Sequence, residues 1–299
     1  MINRLKALLS GERVLVNENL NRHTTFKTGG PAKALLLTET VEELQAVLRL
    51  MAEERKNFFI LGNGSNLLVS DEGYDGYVIK LAGDFLTLRL EGDTIVAGAG
   101  VLLSKVCTFA RDNSLSGLEF AYGIPGTVGG AMVMNAGAYG GEMKDVTETV
   151  DLLYKGDVVT RTSEEMCFGY RDSIIRHDDY IALETCFKLK KGDPEEISAA
   201  MADYMERRRS KQPLEYPSAG STFKRPEGAF AGKLIEDAGL KGFRVGGASV
   251  SVKHAGFVIN DMNGTAADID GLMKAIVSKV KETSGYTLEP EVIRIGNFK

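Results

Sequence analysis

Apolar positions along the 299-residue chain follow two periods that alternate from segment to segment. Leu5, Leu8 and Leu9 place one apolar stripe on a short amphipathic helix within residues 1–11. Residues 33–38 read as a strand. Thr40 then opens a helix with capping-box spacing, because Glu43 stands three residues on, and Leu44, Val47, Leu48 and Met51 form its expected buried face. Residues 57–61 give the next strand. Residues 77–98 alternate as short strands with a hairpin turn at Glu91-Gly92-Asp93, and residues 101–113 return to helical spacing. A second hairpin is expected over residues 149–159 about Lys155-Gly156-Asp157, then a strand over 180–189.

A boundary falls near Gly192, where Asp193-Pro194-Glu195-Glu196 combines an N-cap, an N1 proline and an N3 glutamate. The helix that follows ends in Arg207, Arg208, Arg209 and Lys211. Cations at a helix C-terminus favour its dipole, so this run is expected to be a solvated face rather than a phosphate site. Helices over residues 230–238 and 265–283 flank strands near 245–252 and 256–260, and a last strand lies within 288–296. Strands outnumber helices early and alternate with them late, so the chain reads as α+β with two or three domains.

Between these elements lies a stretch without charge, residues 120–141, F-A-Y-G-I-P-G-T-V-G-G-A-M-V-M-N-A-G-A-Y-G-G. Its length suits a membrane span, but its seven glycines and Pro125 do not, since each interior glycine costs a helix about 1 kcal/mol relative to alanine. Backbone without Cβ atoms can approach a flat ring or a phosphate, so the stretch reads as a cofactor cradle. Tight turns and close packing are the alternative use of such glycines.

Gly62-Asn63-Gly64 begins like a dinucleotide fingerprint, yet Leu67 holds the third glycine position and no helix pattern follows. What remains is a turn of successive N–H groups, with Ser65 and Asn66 as further donors, able to nest a pyrophosphate. Residues 228–234, G-A-F-A-G-K-L, miss the P-loop spacing and its Ser or Thr. The polar, basic residues 17–30 suit a lead-in loop or a ligand role equally.

Composition narrows the partners. Lys and Arg number 36 against 41 Asp and Glu, a net charge of −5, so no basic field gathers nucleic acid. Three scattered cysteines give no disulfide framework, which suits a reducing cytoplasm, and three histidines show no ligand spacing for a metal. No signal or membrane segment is read.

In chain order, L-G-N-G-S-N-L-L from Leu61, G-I-P-G-T-V-G-G-A from Gly123, N-A-G-A-Y-G-G from Asn135, G-Y-R-D-S from Gly169, A-G-S-T-F-K from Ala219 and L-E-P-E-V from Leu288 resemble the UDP-N-acetylenolpyruvoylglucosamine reductase family. The compact A-G-S-T-F resembles its shorter form, without the extra substrate-covering loop. The resemblance implies an α+β fold: a two-part FAD-binding region of the vanillyl-alcohol-oxidase (PCMH) type plus a C-terminal α+β substrate domain. Boundaries are expected at 1–80, 81–192 and 193–299, the last strand returning to the FAD region.

It also implies bound FAD, NADPH as co-substrate, a UDP-sugar substrate, and a cytoplasmic monomer or weak oligomer in cell-wall precursor synthesis. Carried over by motif, Gly62, Asn63, Gly64, Ser65 and Asn66 hold the FAD pyrophosphate. Gly126, Thr127, Gly129, Gly130, Ala131, Asn135, Gly137, Ala138 and Tyr139 line the rest of the cofactor.

Reducing an enolpyruvyl ether adds hydride to one vinyl carbon and a proton to the other, and FAD supplies the hydride because no side chain can. By resemblance Arg171 and Glu291 stabilise charge on the substrate carboxylate, Ser221 delivers the proton, and Tyr170 and Lys224 bind substrate. Glu291 is expected to act as a neutral acid, its pKa raised by burial or the neighbouring anion. Read residue by residue, Arg171 also suits an ion pair with Asp172, Ser221 a helix cap, and Glu291 a strand-edge charge; His254 reads as structural. The alternatives to the reductase are an FAD-dependent oxidase of small hydroxy acids and a non-catalytic nucleotide-sugar-binding protein.

Overall fold

A computed structural model describes residues 1–298 and resolves the chain into two compact units. The first comprises Met1–Leu15, Leu35–Asn63 and Tyr77–Arg208; the second comprises Val16–Ala34, Gly64–Gly76 and the chain from Arg209 on.

In the first unit, α1 (Ile2–Leu9) buries Leu5 and Leu9, and α2 (Val41–Glu53) buries Leu44, Val47, Leu50 and Met51. Leu50 takes the buried place expected of Leu48, which is only partly covered. Thr40 Oγ1 accepts from Glu43 N at 3.2 Å, the first half of the expected capping box. The other half shifts by one residue: the Glu43 carboxylate accepts from Glu39 N at 2.8 Å and forks onto Arg13 at 2.7 and 2.8 Å. That pairing holds the Glu43 carboxyl below the ordinary range. The strand Phe58–Ile60 runs parallel to Tyr74–Leu81, with Ile60 opposite Ile79, so both strand ends open toward one loop edge.

A second, antiparallel sheet orders its strands Asp157–Thr162, Thr147–Tyr154, Tyr180–Lys188, Thr94–Gly98 and Leu88–Glu91. Both expected hairpins form. The second turns through Lys155 (φ 50°) and Gly156 (φ 95°), the left-handed pair that matches strand twist. α3 is Leu103–Asp112.

Inside the glycine stretch stands a helix that the composition conceals, α4 (Val128–Met134). Thr127 caps its start, accepting from Gly130 N at 3.3 Å, and Asn135 (φ 40°) ends it in the left-handed region. Val128, Ala131 and Met132 are buried, so packing offsets the low propensity of its two glycines. α5 (Pro194–Lys211) starts as expected, with Asp193 Oδ1 accepting from Glu195 N at 2.7 Å.

The second unit has its own core. Phe26, Leu68, Ile235, Val258, Leu272 and Ile276 are buried in one cluster built around α6 (Ala231–Asp237) and α7 (Ala266–Ser284). A three-stranded antiparallel sheet of Arg244–Val245, Ala248–Val250 and Val258–Asn260 lies with them. Phe26 places residues 17–30 in this core, and its carbonyl accepts from Asn260 Nδ2 at 3.1 Å. Ile293–Ile295 pairs in parallel with Leu67–Val69. Thr265 and Asp268 close a full capping box on α7, and Asp71 accepts from Ala266 N and Ala267 N at 2.8 and 2.9 Å. Among the described residues no helix is long and apolar enough to cross a membrane, and no group of three or more His, Cys, Asp or Glu could hold a metal.

Candidate active site

Each unit assembles part of the expected set. In the first, Gly62 leads from the strand end into a cleft whose opposite wall is the start of α4. Gly62, Thr127, Gly129 and Gly130, all expected cofactor residues, line it. Ile60, Leu81, Val133 and Ile181 make it apolar, and Lys80 and Tyr180 add polar groups.

The glycines divide by what a Cβ would meet. At Gly62 it would lie 2.6 Å from Thr127 Oγ1, at Gly129 3.0 Å from Ala99 Cβ, and at Gly137 2.7 Å from Gly141 O, so these three serve close packing of the protein itself. At Gly130 the nearest protein atom is 3.5 Å away and at Gly126 3.9 Å, although Gly130 is exposed and lines the cleft. Backbone bare toward a flat apolar slot fits a planar, phosphate-bearing cofactor such as FAD. Asn63 Nδ2 donates to Pro125 O at 2.8 Å and ties the turn after Gly62 to the same wall.

Arg171 sits at the tip of a two-residue reversal, where Gly169 N donates to Asp172 O at 3.0 Å. Its φ of 55° holds the backbone left-handed, and its guanidinium lies 5.3 Å over the Tyr170 ring. The Arg171–Asp172 ion pair is not the one that forms. His177 Nε2 lies 2.7 and 2.8 Å from the Asp172 carboxylate oxygens and keeps that carboxyl below its usual range. Arg171 Nη2 instead points at Gly137 O, 3.5 Å away.

Asn135 anchors this turn. It is 1% exposed, and its Nδ2 donates to Gly169 O at 3.0 Å and Glu142 Oε2 at 2.7 Å, while Oδ1 accepts from Lys144 N at 3.0 Å. With both donors engaged in protein bonds, its side chain positions the Tyr170–Arg171 tip. Ala131, at 2% exposure, packs inside α4. Ala138 and Tyr139 lie in a short hairpin of Gly137–Ala138 with Gly141–Glu142, and the Tyr139 ring stacks on Tyr204 of α5 at 4.8 Å and 5°.

α5 brings a residue that the sequence reading set aside. A Cβ on Gly123 would lie 2.9 Å from Arg208 Cδ, so the arginine stem lies on the glycine stretch. Burial pulls the Arg208 guanidinium below its ordinary value, and among the described residues it forms no hydrogen bond or ion pair. Arg208 therefore leaves the solvated face expected for the run 207–211. The signal was helical spacing: Ile197, Met201, Tyr204 and Arg208 fall four, seven and eleven residues along one stripe, and Arg207 and Arg209 fall off it. A half-buried cation without a counter-charge is costly by itself and favours an anionic ligand.

In the second unit Ser221 is exposed beside Thr222, which is fully buried. Residues 222–224 run antiparallel to 289–291: Glu291 N donates to Thr222 O, and Lys224 N to Glu289 O, both at 2.8 Å. Asn66 Nδ2 donates to Glu291 O at 3.2 Å and Ile293 N to Asn66 O at 3.0 Å. Thr222, Glu291 and Asn66, from three separate motifs, thus share one hydrogen-bond network, with Ser221 next to Thr222 in sequence. Ser221 caps no helix, since the N-cap of α6 is Phe230. Lys224 Nζ is paired with Glu289 Oε2 at 3.0 Å. Gly64 (φ 63°) has its carbonyl held by Thr25 N at 3.2 Å, and Ser65 is half-buried beside it.

Comparison with known proteins matches residues 32–163 to an FAD binding domain. Residues 212–295 match the C-terminal domain of UDP-N-acetylenolpyruvoylglucosamine reductase. A reductase of that name from Alkaliphilus oremlandii is 50% identical over 98% of this chain and 96% of its own length. Another, from Caldanaerobacter subterraneus, is 48% identical over 99% and 98%. The crystal structure of the Thermus caldophilus UDP-N-acetylenolpyruvylglucosamine reductase superposes with a TM-score of 0.82 at 40% identity, covering 93% of this chain and 98% of that one.

Proposed function

The chain belongs to the UDP-N-acetylenolpyruvoylglucosamine reductase family, and from that premise we propose how its residues divide the reaction. The protein is an FAD-dependent oxidoreductase that reduces the enolpyruvyl ether of its UDP-sugar substrate, giving UDP-N-acetylmuramate for peptidoglycan. NADPH is its reductant and the cytoplasm its place of work in this reading.

Bound FAD supplies hydride chemistry that side chains lack. Gly130 and its neighbours would hold it in the cleft of the first unit, whose wall Gly62 closes by packing against Thr127. Arg171, forked and permanently charged, binds the substrate carboxylate and meets the charge that builds there. Glu291, in its neutral form, donates a hydrogen bond to the substrate. The Ser221 hydroxyl hands its proton to the carbanionic carbon, and the positive charge of Lys224 nearby in sequence eases the alkoxide left behind. Arg208 takes a phosphate of an incoming nucleotide, whose charge matches its unfilled donors.

The observation that carries this division of labour is the bond from Glu291 N to Thr222 O, which joins the two motifs that would donate protons. The test is colour. Purified protein should be yellow, lose its flavin absorbance with NADPH under argon, and regain it on adding the enolpyruvyl sugar. Colourless protein that stays apo with added FAD overturns the reading; reoxidation by oxygen alone, indifferent to the sugar, marks an oxidase instead.

A further inference from the structure

Of the residues lining the cleft of the first unit, Lys80 is the one that carries charge. It stands near the C-terminal end of the strand Tyr74–Leu81, half-buried between Ile79 at 0% and Leu81 at 8% exposure. Lys224, likewise partly covered, is matched with an acid, Glu289, at 3.0 Å. Lys80 has no such partner among the described residues, neither hydrogen bond nor ion pair. An ammonium drawn partly out of water without a counter-ion costs stability, and the cleft around it is otherwise apolar.

Gly62, the first residue of the N–H-rich turn, lines the same cleft. We propose that Lys80 binds the diphosphate of the flavin dinucleotide and so makes this cleft select FAD over flavins that lack the diphosphate. The proposal rests on the FAD reading above and adds to it a residue that no motif marks. A compact ammonium suits phosphate oxygens better than a ring edge, and the ligand supplies the negative charge that the fold omits. Arg171 lies beyond the C-terminal end of α4, beside Gly137, whereas Gly62 meets Thr127 at its start, so the reactive ring is assigned to the Arg171 end and the phosphate chain to the Gly62 end.

The test uses the purified flavoprotein, stripped of flavin and titrated with FAD and with riboflavin by fluorescence quenching at several salt concentrations. Lys80→Met should weaken FAD about tenfold, the worth of one charge-assisted bond, and flatten the dependence of affinity on salt. Lys80→Arg should stay close to the parent, and riboflavin should bind all three proteins alike. Stripped Lys80→Met should melt no lower than the stripped parent, since only an unmatched charge has been removed. Unchanged FAD affinity in Lys80→Met overturns the proposal, as does an equal loss for FAD and riboflavin, which would mean altered shape. A parent protein that takes up no FAD sinks the cofactor reading itself, a separate result.

Discussion

Glu291 donates its main-chain N–H to the carbonyl of Thr222 over 2.8 Å, and Asn66 Nδ2 holds the carbonyl of the same glutamate at 3.2 Å. Three motifs far apart in sequence are thereby joined through main-chain atoms and one side-chain amide.

Replacing Ser221 by Ala should separate the two half-reactions. Loss of a positioned proton donor slows reoxidation of the flavin by the enolpyruvyl sugar about 10²–10⁴-fold, while bleaching by NADPH keeps its parental rate. Stopped-flow absorbance reads both. Equal slowing of the two would remove Ser221 from the proton-transfer role.

Glu291 acts as a neutral acid in this scheme, so activity should fall as pH rises through its pKa. Glu291→Gln retains a donor that cannot ionise, and its alkaline limb should disappear from the pH–rate profile at a lower overall rate. A profile of parental shape in the variant counts against the role.

Two glycine substitutions should part company. Gly62→Ala drives a Cβ to 2.6 Å from the hydroxyl that caps α4, and should cost roughly 1–3 kcal/mol of stability, with flavin loss following. Gly130→Ala meets no protein atom nearer than 3.5 Å and improves helix propensity. It should leave the apoprotein as stable as the parent, or about 0.5–1 kcal/mol more so, yet lower its flavin content. Urea midpoints of the apoproteins and their flavin-to-protein ratios decide both.

Arg208→Met should cost little or no stability, because the guanidinium it removes is half-buried without a partner. Its effect should appear in the KM of the UDP-sugar or NADPH, raised about tenfold or more, with the flavin content unaltered. An unchanged KM for both would return Arg208 to packing alone.

His254 sets a pH dependence on folding. Its Nδ1 accepts from Gly256 N at 3.1 Å, its ring meets Phe257 edge-on at 4.9 Å, and burial lowers its pKa below 6.5. The unfolded chain therefore binds the proton first. Stability from the neutral ring is complete above about pH 6.5 and declines as pH falls toward the depressed folded value. Urea midpoints at pH 7.5 and 5.5 should differ more in the parent than in His254→Asn, whose amide oxygen can still accept from Gly256.

Periodicity made most of the fold legible: the α2 stripe, both hairpins, and the proline-led start of α5 all follow from local rules. Harder to see was α4, because two glycines in seven residues hide a helix that buried Val128 and Met132 stabilise. Local patterns also carry no trace of the parallel pairing of Ile293–Ile295 with Leu67–Val69. Within the candidate site, Arg171, Ser221 and Glu291 are proposed from motif order, and local patterns say nothing of which fold unit each enters. Motif order gave no sign that the Asn135 side chain is engaged within the protein, and it passed over Arg208 and Lys80. Arg208 was readable from its stripe on α5. Lys80 was not, since one lysine in a strand looks like any solvated neighbour until the missing acid is noticed.

The strand Leu67–Val69 has a consequence for biosynthesis. Its partner leaves the ribosome more than two hundred residues later, roughly 10–45 s at ordinary translation speeds. Throughout that wait an apolar edge stays unpaired in the nascent chain, open to mispairing with any passing strand. Chaperone dependence during synthesis, and slow recovery after dilution from denaturant, are the penalties of a sheet whose two strands lie more than two hundred residues apart.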